Sequence, residues 1–219
     1  MKQINVITID GPSASGKGAL ARKIATKFSL NILDSGVLYR LFAYFHNLST
    51  AHSEIPIKIK KEINFNLKID QLQILYKEKD ITTKLRSEDI AKTASKLSSR
   101  KEVRSLLFSI QRSFYTPNGL VADGRDMGTV VFKDAKLKIF LTASAEIRAK
   151  RRYIELQNLG QEVNMPALIA DIEARDLKDS SRKLSPLLPA DDAKIIDSSQ
   201  MSLEEVFSFT ENLIKKEFI

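Results

Sequence analysis

Apolar positions along this chain switch between two rhythms. Ile4 to Ile9 is an almost unbroken hydrophobic run, which predicts a buried strand. From Lys17 onward, Leu20, Ile24 and Phe28 recur at every fourth residue and predict a helix that starts directly after the intervening loop. Asn31 to Gly36 reads as a short strand closed by a polar turn, followed by a helical segment through Leu38, Leu41, Phe42 and Phe45. Between Ile63 and Arg86 the period drops to two: Phe65, Leu67 and Ile69 alternate, Asp70 and Gln71 interrupt, and Leu72, Ile74 and Tyr76 alternate again. A strand pair follows, then a turn at Lys77-Glu78-Lys79-Asp80 and a third short strand.

Helical spacing returns over residues 88 to 114, with Ile90, Ala94 and Leu97 on one face and then Val103, Leu107, Ile110 and Phe114. Short strands are expected at residues 120–123, 137–141 and 194–197. A long helix runs from Ile147 through Arg148, Arg151, Arg152 and Ile154 to Leu159, with Gly160 as its stop. Pro166 suits the first turn of the next helix, whose apolar face is Leu168, Ile169 and Ile172. Ser202 and Glu205 form a capping box for a last helix carrying Leu203, Val206, Leu213 and Ile214.

Core strands near 4–10, 31–33, 120–123, 137–141 and 194–197 with helices between them give an α/β fold with a parallel sheet, and the antiparallel patch is an insertion. Ligands of such sheets sit at the carboxyl ends of the strands, where the first loop, Asp34 and Asp123 all fall. A chain of 219 residues, 43% hydrophobic, can bury a full core as one domain with inserted subdomains. No apolar run reaches membrane-spanning length, and a strand almost at the N-terminus leaves no room for a signal peptide. Without cysteine there is neither a disulfide framework nor a thiolate metal site, and His46 and His52, in a polar connecting stretch, are expected at the solvated surface. The net charge of +8 favours anionic partners, nucleotides or nucleic acid, but the lysines are scattered while many arginines stand in short motifs with glycine, aspartate or serine.

The loop between the first strand and the first helix carries the sharpest chemistry. Gly11 and Gly16 let the backbone curl so that successive N–H groups point into one concavity, and Lys17 stands where its ammonium reaches terminal phosphates. The helix behind them presents the positive end of its dipole. A turn between strand and helix with no ligand is the alternative. The match to GxxxxGKS or GxxxxGKT is incomplete: Gly18 stands at the magnesium-touching hydroxyl, and Ala19 cannot replace it.

Further along, Ser35 and Arg40 lie about one helical turn apart, close enough to face one cavity. Ser95 and Arg104 stand off the apolar stripes and point either to a cleft or to water. Asp123 ends a strand, where a carboxylate can hold magnesium or its water, and the Gly124-Arg125-Asp126 turn adds a guanidinium able to grip a phosphate with two bonds; alone, it would also read as a hairpin corner. Arg175 to Arg182, polar with an arginine at each end and followed by Pro186 and Pro189, suggests a mobile flap with positive tips.

GPSASGKG, LDSGVLYR, ADGRDMGTVVF and RDLKDSSR, with their spacing, resemble the bacterial cytidylate kinases over nearly the whole chain. That resemblance implies the P-loop nucleoside monophosphate kinase fold: a central five-stranded parallel sheet flanked by helices, an antiparallel insert in the monophosphate-binding region, and a helical lid. It divides the single domain into a core (about 1–34, 116–156 and 184–219), a monophosphate-binding subdomain (about 35–115) and a lid (about 157–183). It implies transfer of the γ-phosphate of ATP to CMP or dCMP with Mg²⁺, by a cytoplasmic monomer that engages neither nucleic acid nor membrane.

Residue by residue, the resemblance places Gly11, Pro12, Ser13, Ala14, Ser15, Gly16, Lys17, Gly18 and Ala19 around ATP. Ser35, Arg40 and Arg125 fall at the acceptor phosphate, and Ser95, Arg104 and Arg182 at the cytosine ring, with Asp126 bracing that pocket. Arg175 and Asp179 fall near the acceptor sugar and phosphate. Lys17, Arg125, Arg175 and Arg182 carry catalysis, and Asp123 holds the metal through water. The acceptor phosphate is already anionic, so no general base is needed; the work is to offset repulsion between anions. Three rivals stay open: a kinase for UMP, AMP or another small acceptor; an ATPase that binds nucleic acid through its basic surface; and a non-catalytic nucleotide-binding module, hinted at by Ala19.

Overall fold

The computed structural model describes residues 4–218 apart from 69, 70, 159 and 161. The expected strand at the start is β1 (Ile4–Asp10), and the helix after the loop is α1 (Lys17–Phe28). β2 (Asn31–Asp34) runs into α2 (Ser35–Asn47) with no separate turn, because Asp34 itself caps the helix: its Oδ1 accepts from Val37 N at 3.0 Å. A helix that the sequence reading lacked, α3 (Ile55–Glu62), starts with proline in its first turn and buries only Ile55 and Ile59, too short a stripe to stand out. His46 closes α2 and is exposed as expected, but His52 is half-buried against the Phe42 ring, and the two imidazoles meet at 3.0 Å.

β3 (Ile63–Leu67) pairs antiparallel with β4 (Leu72–Tyr76), which pairs with β5 (Lys79–Asp80). The expected Ile69 and Asp70 lie outside the described residues. The four-residue turn is corrected to two: Lys77 and Glu78 both take positive φ, 47° and 68°, so the third strand begins at Lys79, where it was expected as turn. Residues 82–85 then form a single helical turn, α4 (Thr82–Leu85). The 88–114 region is two helices, α5 (Glu88–Leu97) and α6 (Lys101–Ser113).

After β6 (Leu120–Gly124) the chain makes one π-helical turn, Met127–Val131, then β7 (Ala135–Thr142) and α7 (Ala145–Asn158); Leu159 lies outside the described residues. α8 (Met165–Ser180) starts at an Asn164 cap with Pro166 in its first turn. Most of the stretch expected as a flap is therefore helix. The helix continues to Ser180, and Arg182 folds back onto Asp179 one turn earlier. β8 (Lys194–Asp197) and α9 (Leu203–Phe218) finish the chain, and the capping box is present in both directions, Ser202 N to Glu205 at 2.8 Å and Glu205 N to Ser202 at 3.2 Å.

The five longer-range strands form one sheet in the order β2-β6-β1-β7-β8, and β3-β4-β5 form a second, antiparallel one. The chain divides into two compact units, Met1–Leu20 with Gly124–Ile219, and Ala21–Asp123. In the first, β1 pairs parallel with β7 and β7 with β8, around Val6, Ile9, Phe132 and Ile139. In the second, β2 pairs parallel with β6, setting Asp34 opposite Asp123, and Phe42, Phe45, Val103 and Leu107 fill the core. Among the described residues no helix is long and apolar enough to cross a membrane.

Candidate functional site

In the first unit the apolar strand β1 ends abruptly in a carboxylate, Asp10, and the chain turns. A side chain on Gly11, which has φ +149°, would put its Cβ 2.0 Å from the carbonyl oxygen of Leu141, so only glycine lets β1 leave the sheet this close to β7. Ala14 at φ 58° and Gly16 at φ 94° take left-handed conformations, which for alanine costs about 1 kcal/mol. Lys17, the first residue of α1, is 5% exposed; its Nζ donates to the carbonyl of Pro12 at 2.7 Å and to Ser15 Oγ at 3.4 Å. The ammonium therefore lies inside the loop, at the positive end of a helix.

Several groups that the sequence reading passed over hold this loop. Asp10 accepts from the backbone N–H of Met127 at 2.8 Å and of Gly128 at 2.7 Å, one on each oxygen, tying the end of β1 to the stretch after Arg125 and Asp126. Burial pushes the Asp10 carboxyl up to about 6, and the charge of Asp126 adds to this, while the two N–H donors and Lys17 pull the other way. Arg148 donates to the Ser13 carbonyl at 3.2 Å and Arg151 to the Ser15 carbonyl at 3.1 Å. The signal for both lay in their spacing of three, which sets them on one face of α7. For Asp10 it was a charge closing an apolar strand.

Arg125, Arg175, Asp179 and Arg182 come together around one buried carboxylate. Arg125 Nε donates to Asp179 Oδ2 at 3.1 Å, Arg182 pairs with Asp179 Oδ1, and the charge of Arg175 also acts on it. Burial alone would raise Asp179, but Arg125, Arg182 and Arg175 outweigh it and hold the carboxyl below its ordinary value. Asp126 is buried.

In the second unit, Ser35 is buried at the head of α2 and accepts from Gln111 Nε2 at 2.9 Å, a partner that the sequence did not flag. Arg40 donates to the Leu85 carbonyl at 2.8 Å. Within the protein, Ser35 and Arg40 thus bond to different elements, Ser35 to α6 and Arg40 to the end of α4. Arg104 donates to the Ser98 carbonyl at 3.2 Å and stands over the Tyr39 ring at 5.9 Å, while Ser98 in turn donates to the Ser95 carbonyl at 3.0 Å. Ser95 and Arg104 are therefore linked through Ser98 at the α5–α6 corner. Asp123, buried, stands one residue before the end of β6, opposite Asp34.

The family model described as cytidylate kinase matches residues 7–216. The chain belongs to the cytidylate kinase family. It is 44% identical over 219 residues to a cytidylate kinase of Acinetobacter baylyi, covering 96% of each chain. It is 43% identical over 216 residues to a cytidylate kinase of Photorhabdus laumondii, covering 96% of this chain and 95% of that one. A crystal structure of an uncharacterized protein from Eubacterium ventriosum shares the fold at a TM-score of 0.52 and 12% identity, over 98% of this chain and 99% of that chain. As a member of the cytidylate kinase family, the chain has the P-loop nucleoside monophosphate kinase fold.

Proposed function

We propose that this cytidylate kinase family member transfers the γ-phosphate of ATP to CMP and dCMP, giving ADP with CDP or dCDP. The observation that carries this reading is the phosphate loop: a buried lysine at the head of α1, behind a bend that only glycine permits at Gly11. Gly11 to Ala19 surround the ATP phosphates, and Lys17 lies along the transferring group. Arg125, Arg175 and Arg182 offset repulsion between the two anionic substrates and stabilise charge on that group. Asp179 keeps the three guanidiniums gathered and oriented.

Ser35, Arg40 and Arg125 take the acceptor phosphate, and Arg175 with Asp179 lies by its sugar. Ser95, Arg104 and Arg182 read the cytosine ring, with Asp126 bracing them. A guanidinium donates to O2 and N3 of cytosine, whereas uracil presents an N–H at N3 that leaves the donor unmatched. Magnesium takes oxygen donors and keeps several waters and phosphate oxygens in its shell. Asp123 supplies a carboxylate of that kind, through water, whereas Ala19 has no side-chain oxygen to offer. The ion supplies charge neutralisation on the phosphates. Soluble nucleotides as the only partners fit a monomer working in the cytoplasm, with residues 35–115 as the monophosphate-binding subdomain and 157–183 as the lid.

The test is ADP release measured with a panel of acceptors. CMP and dCMP are expected to exceed UMP and AMP by about 10²-fold in kcat/KM, the worth of an unpaired buried donor. Equal turnover of UMP or AMP would overturn the assignment of cytosine as the base that is read.

A further inference from the structure

Two arginines of α7 reach the phosphate loop, and neither belongs to the groups assigned above to phosphate. Arg148 Nη1 donates to the Ser13 carbonyl and Arg151 Nη1 to the Ser15 carbonyl, at 3.2 and 3.1 Å. In a planar trans peptide the C=O of one residue and the N–H of the next point in opposite directions. A carbonyl drawn toward α7 therefore turns the following N–H, that of Ala14 and that of Gly16, away from α7 and into the concavity. These residues carry the positive φ angles of 58° and 94° that give a backbone anion nest its alternating hand.

Both guanidiniums are themselves fixed. Arg148 is buried, donates from Nε to the Ala143 carbonyl at 2.9 Å and pairs with Asp176 at 2.5 Å. Arg151 donates to Ser198 through its carbonyl at 2.8 Å and its Oγ at 3.1 Å. Planar forks with several donors suit this bridging, which a single ammonium cannot reproduce.

We infer that Arg148 and Arg151 are positioning residues for the phosphate loop: they hold the Ser13 and Ser15 carbonyls outward and so aim the N–H groups of Ala14 and Gly16 at the donor phosphates. This rests on ATP being the donor. It explains how an alanine persists in a left-handed conformation, since such strain survives only where the surroundings over-determine it. The loop is thus shaped before nucleotide arrives.

The experiment measures ATP affinity by calorimetry, the KM for CMP and the melting temperature. Arg148→Lys keeps the charge beside Asp176 but loses the fork; the ATP Kd is expected to rise on the order of tenfold, with the CMP KM within about twofold of wild type. Arg151→Lys, expected to act the same way, stands in should Arg148→Lys fail to fold. Asp176→Asn leaves the bond to Ser13 in place and is expected to keep ATP affinity; a loss equal to that of Arg148→Lys would mean the arginine acts through α8, and overturns the inference. Glycine enters the left-handed region freely, so Arg148→Lys combined with Ala14→Gly should recover most of the lost affinity. No recovery, or unchanged affinity in Arg148→Lys, also overturns it. A wild-type protein that binds no ATP would refute the donor reading itself, whereas wild-type binding matched by both lysine variants refutes this inference alone.

Discussion

The phosphate loop and the helical region from Ser35 to Arg104 are built from different parts of the polypeptide. The loop is a backbone device: its shape comes from φ angles at Gly11, Ala14 and Gly16, from carbonyls pinned by arginines, and from a carboxylate gripping two N–H groups. The helical region is a side-chain device: Ser35, Arg40, Ser95 and Arg104 stand on three helices, and Ser35, Arg40 and Arg104 each have their direction set by a partner distant in sequence or at the next corner. The difference teaches where each is vulnerable. A backbone site fails when a Cβ is added, whereas a side-chain site fails only when the particular group is removed.

Lys17 is the loop's own buried cation, and in the proposed reaction it lies along the transferring group. Lys17→Met should lower kcat on the order of 10³-fold, about 4 kcal/mol, with little change in melting temperature. A loss seen only in the ATP KM would show that the ammonium binds the ground state and transition state alike.

Gly11→Ala places a methyl 2.0 Å from a backbone oxygen that has no room to yield. A cost of about 3 kcal/mol, or roughly 10 °C in melting temperature, is expected. A near-neutral result in thermal unfolding would show that the loop is softer than its geometry implies.

Asp10 gives the same region a pH signature of comparable size. Its folded value of about 6 lies above the ordinary 3.8, so the folded state holds the proton more tightly. The stability this contributes is fully present below about pH 3.8 and is lost as pH rises through about 6. The span is about 3 kcal/mol. Denaturant titrations from pH 4 to 7 should show wild type losing stability relative to Asp10→Asn; parallel curves would show that the carboxyl is not perturbed. Asp179 has the opposite sign: held low by its arginines, its contribution is present above 3.8 and lost as pH falls below it.

On the side-chain device the expected effects are smaller and confined to one substrate. Arg104→Ala should raise the KM for CMP about 30-fold and leave ATP binding nearly unchanged. Equal losses in titrations with both nucleotides would break the division between the two regions. The smallest effect is the sharpest check on the metal: Ala19→Thr should leave turnover unchanged or raise it, because a hydroxyl there adds an oxygen donor without crowding a helix. A large fall would show that magnesium is held elsewhere than beside Asp123.

Most of the fold was legible because its elements are local. The apolar run of β1, the fourfold spacing of α1, the Pro166 start of α8 and the box at Ser202 and Glu205 each depend on neighbours within a few residues. What escaped was short or dual in character. α3 buries only two side chains, and the Lys77-Glu78 hairpin turn lacks the glycine or asparagine that signals positive φ. The run from Arg175 to Ser180 is polar enough to hide the end of a helix that packs Ile172 and Asp179 inward.

The candidate site divides along the same line. The bend at Gly11 and Gly16 and the lysine behind it could be read directly, since such a loop is encoded in consecutive residues. For Asp10, Gln111, Arg148 and Arg151 the partner could not be read, because local pattern at most marks such a residue and does not say what lies across 76, 117 or 135 positions of chain. The amino-acid sequence by itself determined most strands and helices and the glycine-bent loop between β1 and α1, for these follow from short-range sterics and hydrophobic period. Only the tertiary structure decided which carbonyls the arginines hold, and which buried carboxylate is pushed up by desolvation and which is held down by its arginines, because direction and desolvation arise from packing between segments far apart in the chain.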